Sequence, residues 1–195
     1  MQLLFDNIAS VLVASTVLLV VVATNLNAQR SAVESSVAYA AKTQTLSMAS
    51  YMESDLLLIG NGTLDTIETI TSNGAGQTTQ FSFRRIDNAG ADMLVSYNLT
   101  PTTTIDIDGQ SVQLYRLDRT ETRGSTAIPA GGGSSTLSHF EITMLDSDGV
   151  WTDTKEDARL LRVRAVNVYP FGDPDKMNMF QSHWGITVRP PNLET

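Results

Sequence analysis

The apolar stretch IASVLVASTVLLVVVAT, residues 8–24, decides how this chain can fold. It contains no charged residue, and its only polar side chains are Ser and Thr hydroxyls. Residues 3–5 extend it backwards to about 20 residues, with Asp6 and Asn7 as the only interruptions. A helix of about 20 residues rises roughly 30 Å, the hydrocarbon thickness of a bilayer. The stretch therefore predicts a helix that either crosses a membrane or is covered by neighbouring helices.

A cleaved signal peptide is the alternative to a retained helix. A signal peptide needs a basic segment before its apolar run, but residues 1–29 contain neither Lys nor Arg, and the first basic residue is Arg30. The segment TNLNAQ, residues 24–29, offers small residues at which a peptidase could cut. Both interpretations stay open, and we expect the helix to be retained.

Glycine and proline divide the chain into two parts. The first 59 residues contain neither, whereas the remainder contains all 13 Gly and all 6 Pro residues. Beyond the apolar stretch, one apolar stripe continues at helical spacing; its members are Val33, Val37, Ala41, Met48, Met52, Leu56 and Ile59, with Thr45 in the one gap. Gly60 follows as a natural helix stop. We therefore predict one helix that runs from near the N-terminus to about residue 59.

From residue 64 onward the pattern changes to the two-residue period of β-strands. The predicted strands cover residues 79–86, 92–99, 104–107, 111–117, 138–145, 160–169 and 184–188. The Asp108-Gly109 pair predicts a hairpin, and the whole arrangement predicts an antiparallel meander. Residues 124–135, GSTAIPAGGGSS, predict a flexible loop.

These patterns together predict an α+β protein with three parts. Residues 1–29 form a hydrophobic N-terminal helix that serves as membrane anchor or filament core, and residues 30–59 form its amphipathic continuation. Residues 60–195 form a β-rich head domain, an antiparallel sheet against which the second half of the helix packs. The β-branched run 20–22 and Asn25 are the weakest helix formers of the long helix, so we expect any local melting there.

The composition argues against several functions. A net charge of -8 and a pI of about 4.6 do not suit a nucleic-acid-binding protein, which needs a basic surface. There is no cysteine, and the two histidines leave little material for a zinc site. A Gly-x-Ser-x-Gly elbow and a phosphate-binding glycine loop are both absent from the sequence. We expect a protein that is not an enzyme and that uses no cofactor.

Two short motifs suggest ligand or modification sites. Asp146, Asp148 and Asp153 resemble part of a calcium loop, although the further acids of an EF-hand do not follow in register, so an ordinary solvated turn is the simpler interpretation. Asn61 and Asn98 each begin an N-glycosylation sequon and are candidate glycan sites.

Asp6 is the most informative polar residue of the apolar segment. A carboxylate among apolar residues is costly unless it is paired, so it is a functional candidate. In a polymer it could pair with the terminal amine of a neighbouring copy. The alternative is a carboxylate at the headgroup level or near the helix start, where the helix dipole favours it.

The layout resembles that of type IV pilins and pseudopilins: an apolar N-terminal helix, an amphipathic continuation and a following antiparallel sheet. The stretches FSFRRIDNAGADMLVSYNL, residues 81–99, and LLRVRAVNVYPF, residues 160–171, are similar to strands of such proteins. Family members carry a Glu at the fifth position of the mature chain, and Asp6 is the acid that would take its place here. The resemblance implies assembly through the helix, and we expect contacts there from Asp6, Phe5, Val11, Leu18 and Val22.

The sequence thus predicts a structural subunit of an extracellular type IV pilus-like filament. Its partners would be copies of itself and the pilus assembly machinery, and the membrane would hold it before assembly. A minor pilin or pseudopilin of a secretion machine is one alternative. A single-span, membrane-anchored β domain that binds a ligand is another.

Overall fold

The computed structural model describes residues 2–62, 66–87, 89–107, 109–173 and 176–193. Within these ranges the chain forms one α-helix, seven β-strands and a short 3-10 helix. The predicted α+β class is confirmed. The chain divides into two compact units, Met1–Tyr39 and Ala40–Thr195. The first consists of helix, and the second holds the end of that helix together with the sheet.

The helix α1 spans Gln2–Leu57, as the absence of Gly and Pro predicts. It stays α-helical through residues 20–25, because the β-branched side chains there carry only a small helix penalty. After its last turn Gly60 adopts a φ of 69°, which favours glycine, and its N–H donates to the carbonyl of Arg84 at 2.9 Å. The helix therefore ends where the glycine allows the chain to turn into the sheet.

The strands form one antiparallel sheet in sequential order, so the predicted meander is confirmed. They are β1 (Ile67–Ser72), β2 (Thr78–Ile86), β3 (Asp92–Ile107), β4 (Gln110–Arg123), β5 (Thr126–Leu145), β6 (Leu160–Asp173) and β7 (Lys176–Val188), followed by the 3-10 helix at Pro191–Leu193. The predicted hairpin also forms, since Ile107 pairs with Gln110 and Gly109 has a φ of 76°. Asp108 itself lies outside the described residues.

The structure corrects three local predictions. The predicted loop at residues 124–135 is limited to a turn at residues 124–125, because β5 begins at Thr126 and pairs with β4. Pro129 lies within a regular run of pairs opposite Thr120, and residues 131–133 fall at a register shift between Ala130 and Ser134. Residues 104–107 are not a separate strand, because β3 continues to them through a register shift after Pro101. Strand β1 was not predicted, since its IETITS sequence has only two large apolar side chains.

The helix packs on the sheet through the predicted stripe. Six of its members are at most 4% exposed, and they are Ala41, Thr45, Met48, Met52, Leu56 and Ile59. Four of these belong to a single core with Phe81, Phe83 and Phe140 of the sheet. Val33, an earlier member of the stripe, is 58% exposed. The stripe is thus a core-facing surface from Ala41 onward.

Polar contacts connect the start of β2 with β5. Oγ1 of Thr78, at the start of β2, accepts a hydrogen bond from the N–H of Ile142 in β5 at 2.8 Å. Nε2 of Gln77 reaches the carbonyl of Ser138 at 3.4 Å. The first bond joins two strands that are not neighbours in the sheet, and the second joins the residue before β2 to β5.

Candidate assembly interface

The first unit displays an apolar surface along the helix. We define this apolar surface by its exposed side chains, which are Ile8, Val11, Leu12, Val13, Val17, Leu18, Leu19, Val20, Val21, Val22 and Leu26. They are between 47% (Val22) and 70% (Leu19) exposed. The helix is long and apolar enough to cross a membrane, and none of its most apolar window is buried within the chain. A signal sequence near an N-terminus would meet the same criteria.

Four hydroxyl groups within this segment bond to the backbone one turn earlier. The hydroxyls of Ser10, Ser15, Thr16 and Thr24 each donate to a carbonyl four residues before them, at 2.7–2.8 Å. A hydroxyl bonded in this way needs no water molecule as partner. The segment can therefore enter lipid, or a bundle of helices, without leaving these donors unpaired.

The residues that the sequence predicts as assembly contacts lie on or beside this surface. Val11, Leu18 and Val22 are 64%, 65% and 47% exposed. Asp6 is exposed near the start of the helix. Phe5 lies in the helix, but its side chain is outside the described part of the structure. All of them are on one unbroken helix. The apolar surface includes consecutive residues such as Val20, Val21 and Val22, so its side chains surround the helix axis and do not form a single stripe.

In the second unit a buried ion pair fixes the helix to the sheet. Asp55 of α1 and Arg119 of β4 have side chains that are 4% and 5% exposed. Nε of Arg119 donates to Oδ2 of Asp55 at 2.6 Å, and Nη2 donates to Oδ1 at 3.0 Å. The hydroxyl of Tyr97 donates to Oδ2 at 2.6 Å. We call these three side chains the clamp.

Two further charges surround the clamp. Nη2 of Arg119 also lies 2.7 Å from Oε1 of Glu121. Arg85 joins the two carboxylates, with nitrogens 3.3 Å from Glu121 and 3.8 Å from Asp55. Each buried charge therefore faces an opposite charge, as a buried ion pair requires.

The clamp also changes the acidity of its members. Burial, together with the charge and hydrogen bond of Asp55, raises the pKa of Tyr97. Burial alone would lower the pKa of Arg119, but the hydrogen bonds and charges of its partners, chiefly Asp55, outweigh burial and raise it. Tyr97 and Arg119 therefore both hold their protons at neutral pH.

Sequence reasoning did not single out Asp55. A usable signal was present. Asp55 lies seven residues after Met48, three after Met52 and four before Ile59. That spacing places it on the buried stripe, where an acid requires a buried partner.

A second set of polar contacts joins α1 to strands β5 and β6 of the sheet. Nδ2 of Asn167 in β6 donates to Oγ1 of Thr45 at 3.1 Å, and Oγ of Ser134 in β5 donates to Oδ1 of Asn167 at 2.6 Å. All three residues are buried. Because hydrogen bonds demand specific distances, these contacts and the clamp together determine the register of the helix on the sheet.

The remaining candidate residues lie in turns and strands. Oδ1 of Asp146 accepts the N–H groups of Asp148 and Val150, both at 2.9 Å, as in an Asx turn. Among the described residues no group of three or more acidic or histidine side chains is placed to hold a metal ion. Asn61 is exposed in the turn after the helix, and Asn98 is half-buried in β3.

Comparison of the chain with protein-family models, with curated proteins and with solved structures finds no match.

Proposed function

We propose that this chain is a structural subunit of an extracellular filament of the type IV pilus kind, which polymerises through its N-terminal helix. The observation that carries the proposal is the apolar surface, whose members are 47% to 70% exposed. Water does not stabilise such a surface, so another apolar surface must cover it in the cell. The second unit, with its polar exterior, would form the outside of the filament.

The driving force for assembly is large. Burial of an exposed Val, Leu or Ile side chain stabilises a complex by about 1.5–3 kcal/mol. The eleven side chains of the apolar surface, about half to two-thirds exposed, would contribute on the order of 10–20 kcal/mol gross per subunit. Ordering of subunits opposes part of this gain. Before assembly the same surface would hold the subunit in a membrane.

Asp6 supports a polymer over a single helix in lipid. Its carboxylate stands beside an apolar stretch that has no other charge before Arg30. In a filament a cationic group of a neighbouring copy would compensate that charge, and the pilin resemblance suggests a terminal amine for this role. Such a contact joins two different surfaces, and repeated contacts of this kind generate an open helix of subunits.

Electron microscopy of sheared cell surfaces, with antibody labelling of this chain, tests the proposal. We expect labelled filaments. The triple variant Val11→Ala, Leu18→Ala and Val22→Ala keeps the segment uncharged but removes bulk from its surface. Cells with this variant should lose most filaments, while the chain still partitions into the membrane fraction. The reason is that helix–helix packing depends on the shape of the side chains, whereas insertion into lipid depends on their hydrophobicity.

The matched control changes three exposed serines beyond the apolar run, Ser31→Ala, Ser35→Ala and Ser36→Ala, and should assemble normally. A chain found only as a detergent-soluble monomer, absent from every fibre, would contradict the proposal and favour the membrane-anchored ligand-binding alternative. Labelling confined to filament tips would favour a minor pilin.

A further inference from the structure

Within the described residues, the sheet of the second unit has several strand edges without a partner strand. The first is the end of the β3–β4 hairpin. Strand β2 pairs with β3 only as far as the pair Gln80 and Asn98, and β5 pairs with β4 only from the pair Leu137 and Tyr115 onward. Within the described structure, residues 100–107 of β3 therefore pair with β4 alone, and residues 110–114 of β4 pair with β3 alone. We call this two-stranded extension the hairpin arm.

The hairpin arm is poorly supported by its own chain. Of its side chains that the structure describes, only Leu114 is buried, and Thr100 to Thr104 are all exposed. A two-stranded hairpin alone is at best marginally stable in water, and it gains stability when a further strand pairs with it. The only charged residues in the sequence of residues 100–114 are Asp106 and Asp108, and Asp106 is exposed.

The second unpaired edge is that of β7, the last strand of the sheet. It pairs with β6 in a continuous register, without a bulge. Residues 179–188, which we call the β7 edge, contain no Lys, Arg, Asp, Glu or Pro. Such residues are the usual protection of edge strands against further pairing. No backbone hydrogen bond to residues 179–188 comes from outside the β6–β7 ladder in the described part of the chain.

The opposite edge of the sheet, strand β1, has features that protect it against further strand pairing. Strand β1 is short, has two register shifts, and carries Glu68. Nζ of Lys155 donates to the carbonyl of Glu68 at 2.6 Å and so occupies a backbone acceptor there. One edge of the sheet is therefore covered and irregular, whereas the other is long, regular and uncharged.

The surface beside the β7 edge is basic. Arg162 and Arg164 of β6 lie directly opposite Thr187 and Gly185 of β7, so their side chains share the outer face with the exposed residues of that strand. Nη1 of Arg164 lies 3.8 Å from Oε2 of Glu141 in β5, whereas Arg162 has no acidic partner among the described residues. This basic face complements the acidic hairpin arm.

We infer that the hairpin arm of one copy adds to the β7 edge of a second copy, as an antiparallel or parallel extension of its sheet. Backbone hydrogen bonds would supply the pairing, and the charges of Asp106 and of Arg162 and Arg164 would select the partner. The contact joins two different surfaces, so it can repeat from copy to copy. It rests on the proposed filament and specifies how the head domains meet within it.

The absence of cysteine from the chain permits a clean cross-linking test. Thr103 and Thr104 are adjacent in β3, so their side chains point to opposite faces, and one of them would share the outer face with His183. We would make Thr103→Cys with His183→Cys, and Thr104→Cys with His183→Cys, in the full-length chain. Mild oxidation of cells should convert one double variant into a ladder of dimers, trimers and longer products.

Each single-cysteine variant should give no ladder, and a mixture of the two single variants should give dimers only. The pair Thr104→Cys with Ser72→Cys, which uses the covered β1 edge, is the matched control and should stay monomeric. Charge reversal by Arg162→Glu and Arg164→Glu should reduce the ladder several-fold, and Asp106→Lys should restore part of it.

Microscopy of the same samples separates this inference from the proposed function. If both double variants form filaments but neither gives a ladder, the proposed contact is wrong and the proposed filament is unaffected. A ladder from membranes that bear no filament would support the contact and contradict the filament. Strands β3 and β7 also approach each other within one chain. A disulfide within the monomer, without a ladder, would therefore overturn the inference as well.

Discussion

The guanidinium of Arg119 holds the carboxylate of Asp55 through two hydrogen bonds, Nε to Oδ2 at 2.6 Å and Nη2 to Oδ1 at 3.0 Å. The two residues are 64 positions apart, one on the helix and one on the fourth strand. The planar guanidinium fits a carboxylate in only a few orientations. The pair therefore sets the rotation of the helix as well as its distance from the sheet.

Removal of one partner of the clamp should be strongly destabilising. Asp55→Ala leaves the guanidinium of Arg119 buried with its main counter-charge gone, and should cost about 3–5 kcal/mol. Thermal unfolding of the detergent-solubilised full-length chain, followed by near-ultraviolet circular dichroism, measures the effect. Glu53→Ala, an exposed acid on the same helix, should change stability by less than about 0.5 kcal/mol. Equal effects of the two substitutions would contradict the role of the clamp.

Replacing both members of the ion pair tests whether it stabilises the fold or specifies its register. The double variant Asp55→Leu and Arg119→Met should regain most of the stability lost by Asp55→Ala, because no charge is then left buried alone. If the pair specifies register, the double variant should still show broadened side-chain signals in NMR spectra of the head. Sharp signals identical to those of the wild type would exclude that role.

The apolar stripe should be most sensitive where it is buried. Met52 is 0% exposed and lies in the core, so Met52→Ala should cost about 2–5 kcal/mol. Leu46, six residues earlier on the same helix, is 56% exposed, and Leu46→Ala should cost less than about 1 kcal/mol. The same unfolding measurement compares the two. A larger effect at Leu46 would mean that another face of the helix packs on the sheet.

A side chain at Gly60, in the turn after the helix, should destabilise the fold. Both Gly60 and Gly76 have a positive φ, 69° and 76°, so Ala at either position incurs the cost of a left-handed backbone. A Cβ at Gly60 would also lie 2.6 Å from Cγ2 of Thr66, whereas nothing lies within 4 Å of one at Gly76. Gly60→Ala should therefore be less stable than Gly76→Ala by about 1–3 kcal/mol. Similar melting temperatures for the two variants would exclude the steric contribution.

Ionisation of Asp87 should make the free energy of unfolding decrease as the solution becomes acidic. The pKa of Asp87 is lowered, first by the hydrogen bond from the backbone N–H of Ala91, then by that of Ala89 and by the charge of Arg123, whose Nη2 lies 3.0 Å from Oδ2. A folded pKa below the unfolded value of about 3.9 means that the ionised carboxylate stabilises the fold at neutral pH. This contribution is lost as pH falls through the lowered folded pKa.

Asp87→Asn should accordingly be less stable than the wild type at pH 7, and the difference should shrink as the pH falls below about 4. Unfolding midpoints measured from pH 7 down to the acid limit of solubility check this. Asp153→Asn, an exposed acid in another loop, serves as the control. A difference between Asp87→Asn and the wild type that is the same at every pH would show that the substitution acts through shape and not charge.

Local pattern was enough to predict the helix and the face by which it packs. The spacing of Ala41, Met48, Met52 and Leu56 reports a helical face directly, because neighbours on a helix surface are close in sequence. The hairpin at Gly109 was predictable for the same reason. The strand through residues 126–135 was not, because its glycines and Pro129 are held by pairing with β4 and carry no strand preference of their own.

The sequence by itself determined that one long helix exists, that its first part has no charge from residue 7 to residue 29, and that a sheet follows. These features depend on residues near each other in the chain. Only the tertiary structure decided that Asp55 meets Arg119, that Thr45 meets Asn167, and that the hairpin arm and the β7 edge pair with no further strand in the described part of the chain. Such contacts depend on how distant segments pair and curve, and backbone pairing is nearly independent of local side-chain pattern.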